Sequence, residues 1–388
     1  MLNSDDAPDT QASVRRANLR RALQLVFRGG GAQTRAGIAR ATGLTAATAS
    51  SLVAELIESR LIVEGVQAAS TGGKRATTLS VDAGHHRILV MVIRPTDARL
   101  ALLALDGTEV DVRTVAYTAE SRERMLDEAV ARIAEDHGDR LLIAAAQLPG
   151  TTDGRTVLES VQLDWREVPL AARLEKQLAV PVLLVNDVDA EAIAEAAGEA
   201  ESSGYRLFIH IGVGIGAAVT VDGQLAPGPR DRAGEIGHVQ VEFGEHARLC
   251  RCGRRGCLES ASSMTAMLGD DFSDAMDEDD IAALARTADG TVFAEGARAL
   301  ARTVKLAAAL LDPTEVVIGG PVRALGEPFL DLVRAETAYL ASGTASVPVR
   351  YARGGANPSI GAGQLALSSA LGVVWSAEQL SSANADLR

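Results

Sequence analysis

The sequence predicts an α/β protein in two parts, an N-terminal winged helix-turn-helix over residues 1–80 and an α/β body over residues 81–388. Three observations predict it. Apolar residues recur at helical spacing through the first part, and a short strand pair closes it. From residue 81 onward strands and helices alternate, in a body too long for one sheet. Charge divides at the same place. Residues 11–80 hold ten Lys/Arg against three Asp/Glu, a net +7, whereas residues 81–388 hold 28 against 45, a net −17. A basic head on an acidic body fits contact with double-stranded DNA by one end only.

In the head, residues 14–27 carry Leu19, Leu23, Val26 and Phe27 on one helical stripe, and Gly29-Gly30-Gly31 stops it. Thr34 is the expected N-cap of a short helix through Ala41. Gly43 makes the turn, and Thr45 caps a third helix from Ala46 to Ser59. Ala39 is small where two helices cross, and Leu44, Leu52, Leu56 and Ile57 bury the second of them. Residues 61–82 then read as two strands around Gly72-Gly73, the wing. The third helix offers Thr45, Ala46, Ala47, Thr48, Ser50 and Ser51 to the major groove. None is Arg, Asn or Gln, so base readout is expected through thymine methyls and hydroxyl bonds. Lys74 and Arg75 on the wing suit a minor groove, where width is sensed more than sequence. Gly73-Lys74 is not a phosphate loop, because Arg75 stands where Ser or Thr is needed. A three-helix bundle for protein contact is the alternative reading.

The body reads in order as strands over 86–93 and 99–105, a turn at Asp106-Gly107, and a helix over 121–138. A buried strand then ends at Pro149-Gly150, and the strand of PVLLVN leads into a helix from Asp187. Residues 205–226 hold strand, glycine turn, strand and hairpin. A long helix over 295–313 precedes the buried strand EVVIGG. The acidic run 270–280 is expected to be a solvated loop and helix start, and the tail 381–388 to be disordered.

All three cysteines fall in Cys250-Arg-Cys252-Gly-Arg-Arg-Gly-Cys257, and His238 lies twelve positions upstream. Three thiolates and an imidazole form a closed four-ligand set of the kind that holds structural zinc. Disulfide bonding fits less well, because the count is odd and Cys250 and Cys252 are too close to bridge easily. Three unrelated buried thiols are the other reading. The spacing is unlike that of a DNA-binding zinc finger, so the metal is expected to shape a site within a larger fold. No stretch is long and apolar enough to span a bilayer, and the N-terminus lacks a secretory apolar segment. With metal-ready thiols, this points to a cytoplasmic protein.

The run AGEIGHVQVEFGEHARLCRCGRRGCLES, residues 233–260, resembles the signature of the ROK family (repressors, open reading frames and sugar kinases). The resemblance covers nearly the whole chain and is to the winged-helix regulator branch, with the xylose-type and N-acetylglucosamine-type repressors. It implies a two-lobed, actin-like (ribonuclease H-like) sugar-kinase fold. Lobe 1 is expected at about 81–188 plus a C-terminal helix at about 365–388, and lobe 2 at about 189–364. The resemblance implies zinc on His238, Cys250, Cys252 and Cys257. It places a sugar or sugar phosphate on Asn186, Asp187, Glu235, His238 and Glu259. Gln162, Asp164 and Trp165 match a cleft-lining stretch loosely. Converging carboxylates and an amide suit hydroxyls that both donate and accept.

In the family's kinases Asp187 would be the base on the sugar hydroxyl, and three glycine segments hold phosphates. Here the first segment is Val92-Ile93-Arg94-Pro95-Thr96, with Val92 for a metal-side Asp and Arg94-Pro95 for two glycines. Proline donates no N–H, and neither residue lets a phosphate approach the backbone. Gly212-Val213-Gly214-Ile215-Gly216 is nearly intact, and Pro321 follows Gly319-Gly320. The expected function is a sugar-responsive transcriptional regulator, with Asp187 a vestigial base and no kinase activity. The alternative is an ATP-dependent sugar kinase with a DNA-binding head. A homodimer or homotetramer and a possible sugar-transport protein partner complete the expectation.

Overall fold

A computed structural model describes residues 11–67, 76–197, 203–229, 233–274, 276–338, 347–353, 357–377 and 379–380. The chain divides into two compact units. One comprises residues 1–190, 197–200 and 356–388, and the other 191–196 and 201–355. Among the described residues, no helix is long and apolar enough to cross a membrane.

The head opens with α1 (Gln11–Arg28), β1 (Gln33–Thr34), α2 (Arg35–Thr42) and α3 (Ala46–Glu58). Both expected caps form. Thr34 accepts from the Gly37 N–H and Thr45 from the Thr48 N–H, each satisfying an N–H that the helix start leaves orphaned. Gly43 ends α2 in a left-handed conformation. Leu52, Val53 and Leu56 are buried, while Leu44 and Ile57 are half-buried. β2 (Ile62–Gln67) and β3 (Thr77–Val81) pair antiparallel, and β1 adds to β3, giving the order β1-β3-β2. The wing tip, with Lys74 and Arg75, lies outside the described residues.

Next come β4 (Arg87–Ile93), β5 (Asp97–Ala104), β6 (Glu109–Ala116), α4 (Arg122–His137) and β7 (Leu141–Leu148). A small antiparallel sheet that periodicity did not reveal follows as β8 (Thr151–Thr152), β9 (Val157–Ser160) and β10 (Trp165–Val168). Then come α5 (Leu170–Leu178), β11 (Val182–Asn186) and α6 (Asp187–Ala197). The five-stranded sheet runs β11-β7-β4-β5-β6, with β4, β7 and β11 mutually parallel and β5 antiparallel to both β4 and β6. The interior strands β4 and β7 are apolar almost throughout because both faces are covered. β6, at the edge, alternates half-buried with exposed residues instead.

The second unit has the sheet order β14-β13-β12-β15-β16. Its strands are β12 (Tyr205–Ile211), β13 (Ile215–Val221), β14 (Gln224–Leu225), β15 (Glu315–Gly319) and β16 (Val349–Tyr351). Its helices are α7 (Leu258–Ser262), α8 (Met264–Leu268), α9 (Glu278–Ala285), α10 (Gly290–Leu311) and α11 (Gly326–Thr337). The long α10 buries Ala297, Leu300, Ala301 and Val304 on one stripe. α12 (Pro358–Leu371) then belongs to the first unit, where Ile360, Ala362, Ala366 and Leu367 pack on the core of the sheet.

One apolar cluster runs through the head and that core together. Leu23, Val26, Phe27, Ile38, Val53 and Leu56 share it with Ile88, Val90, Leu103, Trp375 and Leu380.

Candidate functional site

In the first unit, β11 ends at Asn186 and α6 starts at Asp187. The Asn186 carboxamide commits its oxygen and one of its two Nδ2 hydrogens to local structure. Its oxygen accepts from the Val188 and Asp189 N–H groups at 2.9 and 3.1 Å, and its Nδ2 donates to Gly150 O at 2.8 Å. Asn186 therefore caps α6 and ties the helix start to the Pro149-Gly150 turn. Asp187 accepts from the Val188 N–H at 2.9 Å. A carboxylate in the first turn also suits the helix dipole.

The segment 92–96 forms the end of β4 and a tight turn into β5. The Arg94 N–H donates to Asp97 O at 2.8 Å, and the Arg94 guanidinium pairs with the Asp97 carboxylate at 2.9 Å. The Tyr117 hydroxyl lies 2.9 Å from Arg94 O and 2.7 Å from Asp97 O. Arg122 donates to Pro95 O at 3.2 Å and lies over the rings of Tyr117 and Trp165 at 5.8 and 5.7 Å. Burial pushes the Tyr117 hydroxyl well above its usual range, so it stays protonated. The turn thus points carbonyls at fixed donors and spends the Arg94 N–H internally. Such a turn offers no open row of N–H groups to an anion.

In the second unit, Gly212–Gly216 joins β12 to β13, and two of its amides are taken by the chain's own carboxylates. Asp274 accepts from the Val213 N–H at 3.0 Å, and Glu259 Oε2 from the Ile215 N–H at 3.3 Å. Arg251 donates to Val213 O at 2.8 Å. His210 Nδ1 lies 2.8 Å from Glu191, beside the same turn. The acidic run 270–280 is therefore partly structural, with Asp274 on the turn and Asp277 capping α9.

The four expected metal ligands converge. Their donor atoms, one per residue, all lie within 4.8 Å of one another. His238 Nδ1 and Cys250 Sγ are 3.8 Å apart, and Cys252 Sγ and Cys257 Sγ 3.7 Å. Thiolates bound to one tetrahedral zinc at ~2.3 Å stand about 3.8 Å apart, so these spacings fit the ion. They are far beyond a disulfide bond, and all three cysteines are free.

Local backbone brings the ligands together. Cys250-Arg-Cys252-Gly folds back on itself, the Cys250 N–H donating to Arg254 O at 2.7 Å and the Gly253 N–H to Cys250 O at 2.9 Å. Cys257 is the residue before α7. His238 ends a single 3₁₀ turn, Ile236–His238. That turn requires glycine at 237, where a Cβ would sit 2.2 Å from Ile215 O. Burial opposes ionisation of all three thiols. It carries Cys257 up to about 12, whereas the Arg254 donors and the other two thiols bring Cys252 down to about 6. A divalent cation removes this conflict by stabilising every thiolate together.

Glu259, in α7, sets one carboxylate oxygen on the glycine turn and the other 3.9 Å from Cys250 Sγ and from Arg251. Glu235 is exposed beside the His238 turn. Glu235, His238, Glu259 and the cysteines belong to the second unit, and Asn186 and Asp187 to the first. In the head, Thr45, Ala46, Ala47, Ser50 and Ser51 are exposed and Thr48 is half-buried. Arg15 of α1 pairs with Glu55 at 2.5 Å and reaches Ser51 at 3.5 Å.

Sequence reasoning missed Tyr117, Arg122 and Asp274, whose partners lie 20 to 61 residues away. The His210–Glu191 pair was missed as well, because nothing local signals it.

An α/β body with glycine turns and a Cys/His cluster, preceded by a head of three helices and a short antiparallel sheet, defines a class of sugar-kinase-like protein with a head consistent with DNA binding. Residues 81–369 match the family model described as ROK family, and the chain belongs to that family. A xylose repressor of Caldicellulosiruptor bescii is 29% identical over 246 residues, 61% of each chain. The chain thus spans about three-fifths of that relative's length. A solved ROK family transcriptional regulator, described as a homolog of the E. coli MLC protein, superposes with a TM-score of 0.72. It covers 96% of this chain and 99% of its own at 21% identity. A ROK glucokinase of Streptomyces griseus, solved with glucose and AMPPNP, gives 0.58 at 26% identity. It covers 99% of its own length but 72% of this chain.

Proposed function

We propose that the protein is a sugar-responsive DNA-binding transcriptional regulator, a repressor of carbohydrate metabolism or transport genes, with no useful kinase activity. The main support is the pairing of a complete helix-turn-helix with a shut first phosphate turn. Arg94 and Pro95 stand in that turn, and Tyr117 and Arg122 hold its carbonyls. The second turn, Gly212–Gly216, already spends the Val213 and Ile215 N–H groups on Asp274 and Glu259. Phosphoryl transfer depends on positioned phosphates and neutralised charge, so both features argue against it.

In this reading a structural zinc is held by His238 Nδ1 and the thiolates of Cys250, Cys252 and Cys257. The ion supplies the positive charge that keeps three thiolates together. His238 then keeps Nε2 free to meet a ligand, with its tautomer set. Asn186, Asp187, Glu235, His238 and Glu259 bind a sugar or sugar phosphate, and Asp187 serves as a hydrogen-bond acceptor in place of a base. The sugar acts by favouring one of two arrangements of the protein, which requires unequal affinity for the two. The exposed face of α3, from Thr45 to Ser51, reads the operator in the major groove, and Lys74 and Arg75 approach the minor groove. A homodimer or homotetramer presents paired heads to two half-sites, and a sugar-transport protein is a candidate partner.

A thermal-shift screen of sugars and sugar phosphates tests the effector, because a ligand of the folded state raises the midpoint. Selection of duplexes from a random pool tests the head. The second reading is a sugar kinase with a regulatory head, favoured by the retained Asp187 and Gly212–Gly216. ATP-dependent turnover of any hexose at roughly one per second or faster establishes it and overturns the first.

A further inference from the structure

Gln24 of α1 binds the backbone of Val374, 350 residues further along the chain, at two points. Its Nε2 donates to Val374 O at 2.9 Å, and the Val374 N–H donates to its Oε1 at 2.9 Å. A carboxamide that gives to and takes from one residue satisfies both of that residue's backbone groups, as a neighbouring strand would.

The segment it holds is itself seated in the core. Val373, Trp375 and Leu380 are buried, and Trp375 Nε1 donates to Leu105 O at 2.7 Å, at the end of β5. Trp375 also packs near Gly363 of α12 and Gly107. At the end of α12, Gly372 has φ +69°, and a Cβ there would stand 2.8 Å from Cδ of Arg20, one turn before Gln24 on α1. The left-handed φ favours glycine at the end of α12, where the Arg20 side chain lies close.

The head has one covalent route into the body, residues 82–86, between β3 and β4. The shared apolar cluster seats the head on this core, but apolar contact is non-directional, whereas a two-point hydrogen bond also fixes orientation. From α1 the path continues to the DNA-facing helix through Arg15, which holds Glu55 and Ser51 of α3. At the other end, α12 begins where the chain returns from the second unit, and Arg99 anchors its first turn through Ser359 at 2.5 Å.

We propose that Gln24 is a positioning residue for DNA binding: with residues 372–375 it forms a polar anchor of the head, beside the linker and the shared apolar cluster, so that the orientation of α3 follows the end of α12. The inference deepens the DNA-binding reading and rests on it.

The test uses the full-length protein, Gln24→Met and Gln24→Glu. Methionine keeps the bulk and loses both bonds, and glutamate keeps the acceptor and loses the donor. The probe is a duplex selected from a random pool by the wild-type protein, with half-site spacing then varied. In Gln24→Met, hydrogen exchange at the Val374 amide is expected to rise ~10-fold or more, while β4 amides keep their rates. Trp375 emission is expected to shift in a Trp165→Phe background. Affinity for the selected duplex should fall ~10-fold, with preference among spacings weakened, and Gln24→Glu should fall between. Unchanged exchange at Val374, or a freed Val374 with unchanged affinity and spacing preference, overturns the proposal. If the wild-type protein selects no duplex, the DNA-binding reading fails, and exchange together with Trp375 emission still decides whether the anchor exists.

Discussion

Cys252→Ser is the sharpest test of the metal cluster. Cys252 is the exposed member of the four, so serine fills its place without opening a core cavity. The loss is therefore mainly the loss of a ligand. Its sulfur stands 3.7 Å from Cys257 Sγ, about the edge of a tetrahedron around one zinc. Structural zinc sites of this type are worth ~10–16 kcal/mol over four ligands, or about 3 kcal/mol for one. Removing it should weaken zinc binding about 100-fold or more. The loop 238–257 should loosen with it, because the His238 turn and Cys257 flank the glycine turn and α7. Metal content measured on protein dialysed against a weak chelator should fall well below one zinc per chain. The urea midpoint of the variant should drop towards that of chelator-treated wild type. Cys252→Ser retaining one tightly bound zinc per chain refutes the four-ligand assignment.

Three further outcomes follow from the geometry. Tyr117→Phe removes the hydroxyl shared by Arg94 O and Asp97 O, and should cost about 1–2 kcal/mol in urea unfolding without creating ATP binding, since Pro95 still lacks an N–H. Glu109 has a side chain 4% exposed and is paired with Arg99 at 2.8 Å. Burial raises its pKa, but hydrogen bonds from Arg99, Asn357 and Ser359 outweigh this and hold it below the ordinary 4.5. Its folded pKa is depressed, so its contribution is complete above pH 4.5 and lost as pH falls through the folded value. Glu109→Gln should therefore cost about 2 kcal/mol at pH 7 and progressively less in acid, as denaturant titrations at several pH values would show. Asp187→Asn should abolish the thermal shift by an effector sugar and leave binding of the selected duplex intact, and simultaneous loss of both would refute the division of roles.

Much of the local architecture was legible because its causes are local. Thr34 and Thr45 cap helices by bonds three residues long, and Gly43 ends α2 with its own backbone. The cysteine cluster was legible because ligand chemistry needs particular side chains at short spacing. Asn186 illustrates the boundary. Its place before a helix was readable, but its bond to Gly150, 36 residues away, was not. The small sheet β8–β10 escaped notice because strands of two to four residues carry too little alternation to register.

Taken alone, the chain's residue order determined the helices of the head, the alternating body, the clustering of His238 with the three cysteines, and the presence of Arg94-Pro95 after β4. Each depends on side-chain type or on contacts within a few positions. Folding in three dimensions decided which distant groups meet: Tyr117 and Arg122 on the turn at 94–97, Asp274 on the glycine turn, and Gln24 on Val374. These contacts are long-range hydrogen bonds between common residues. Periodicity and composition carry no record of such pairings, and the packing that creates them exists only once the sheets and helices have assembled.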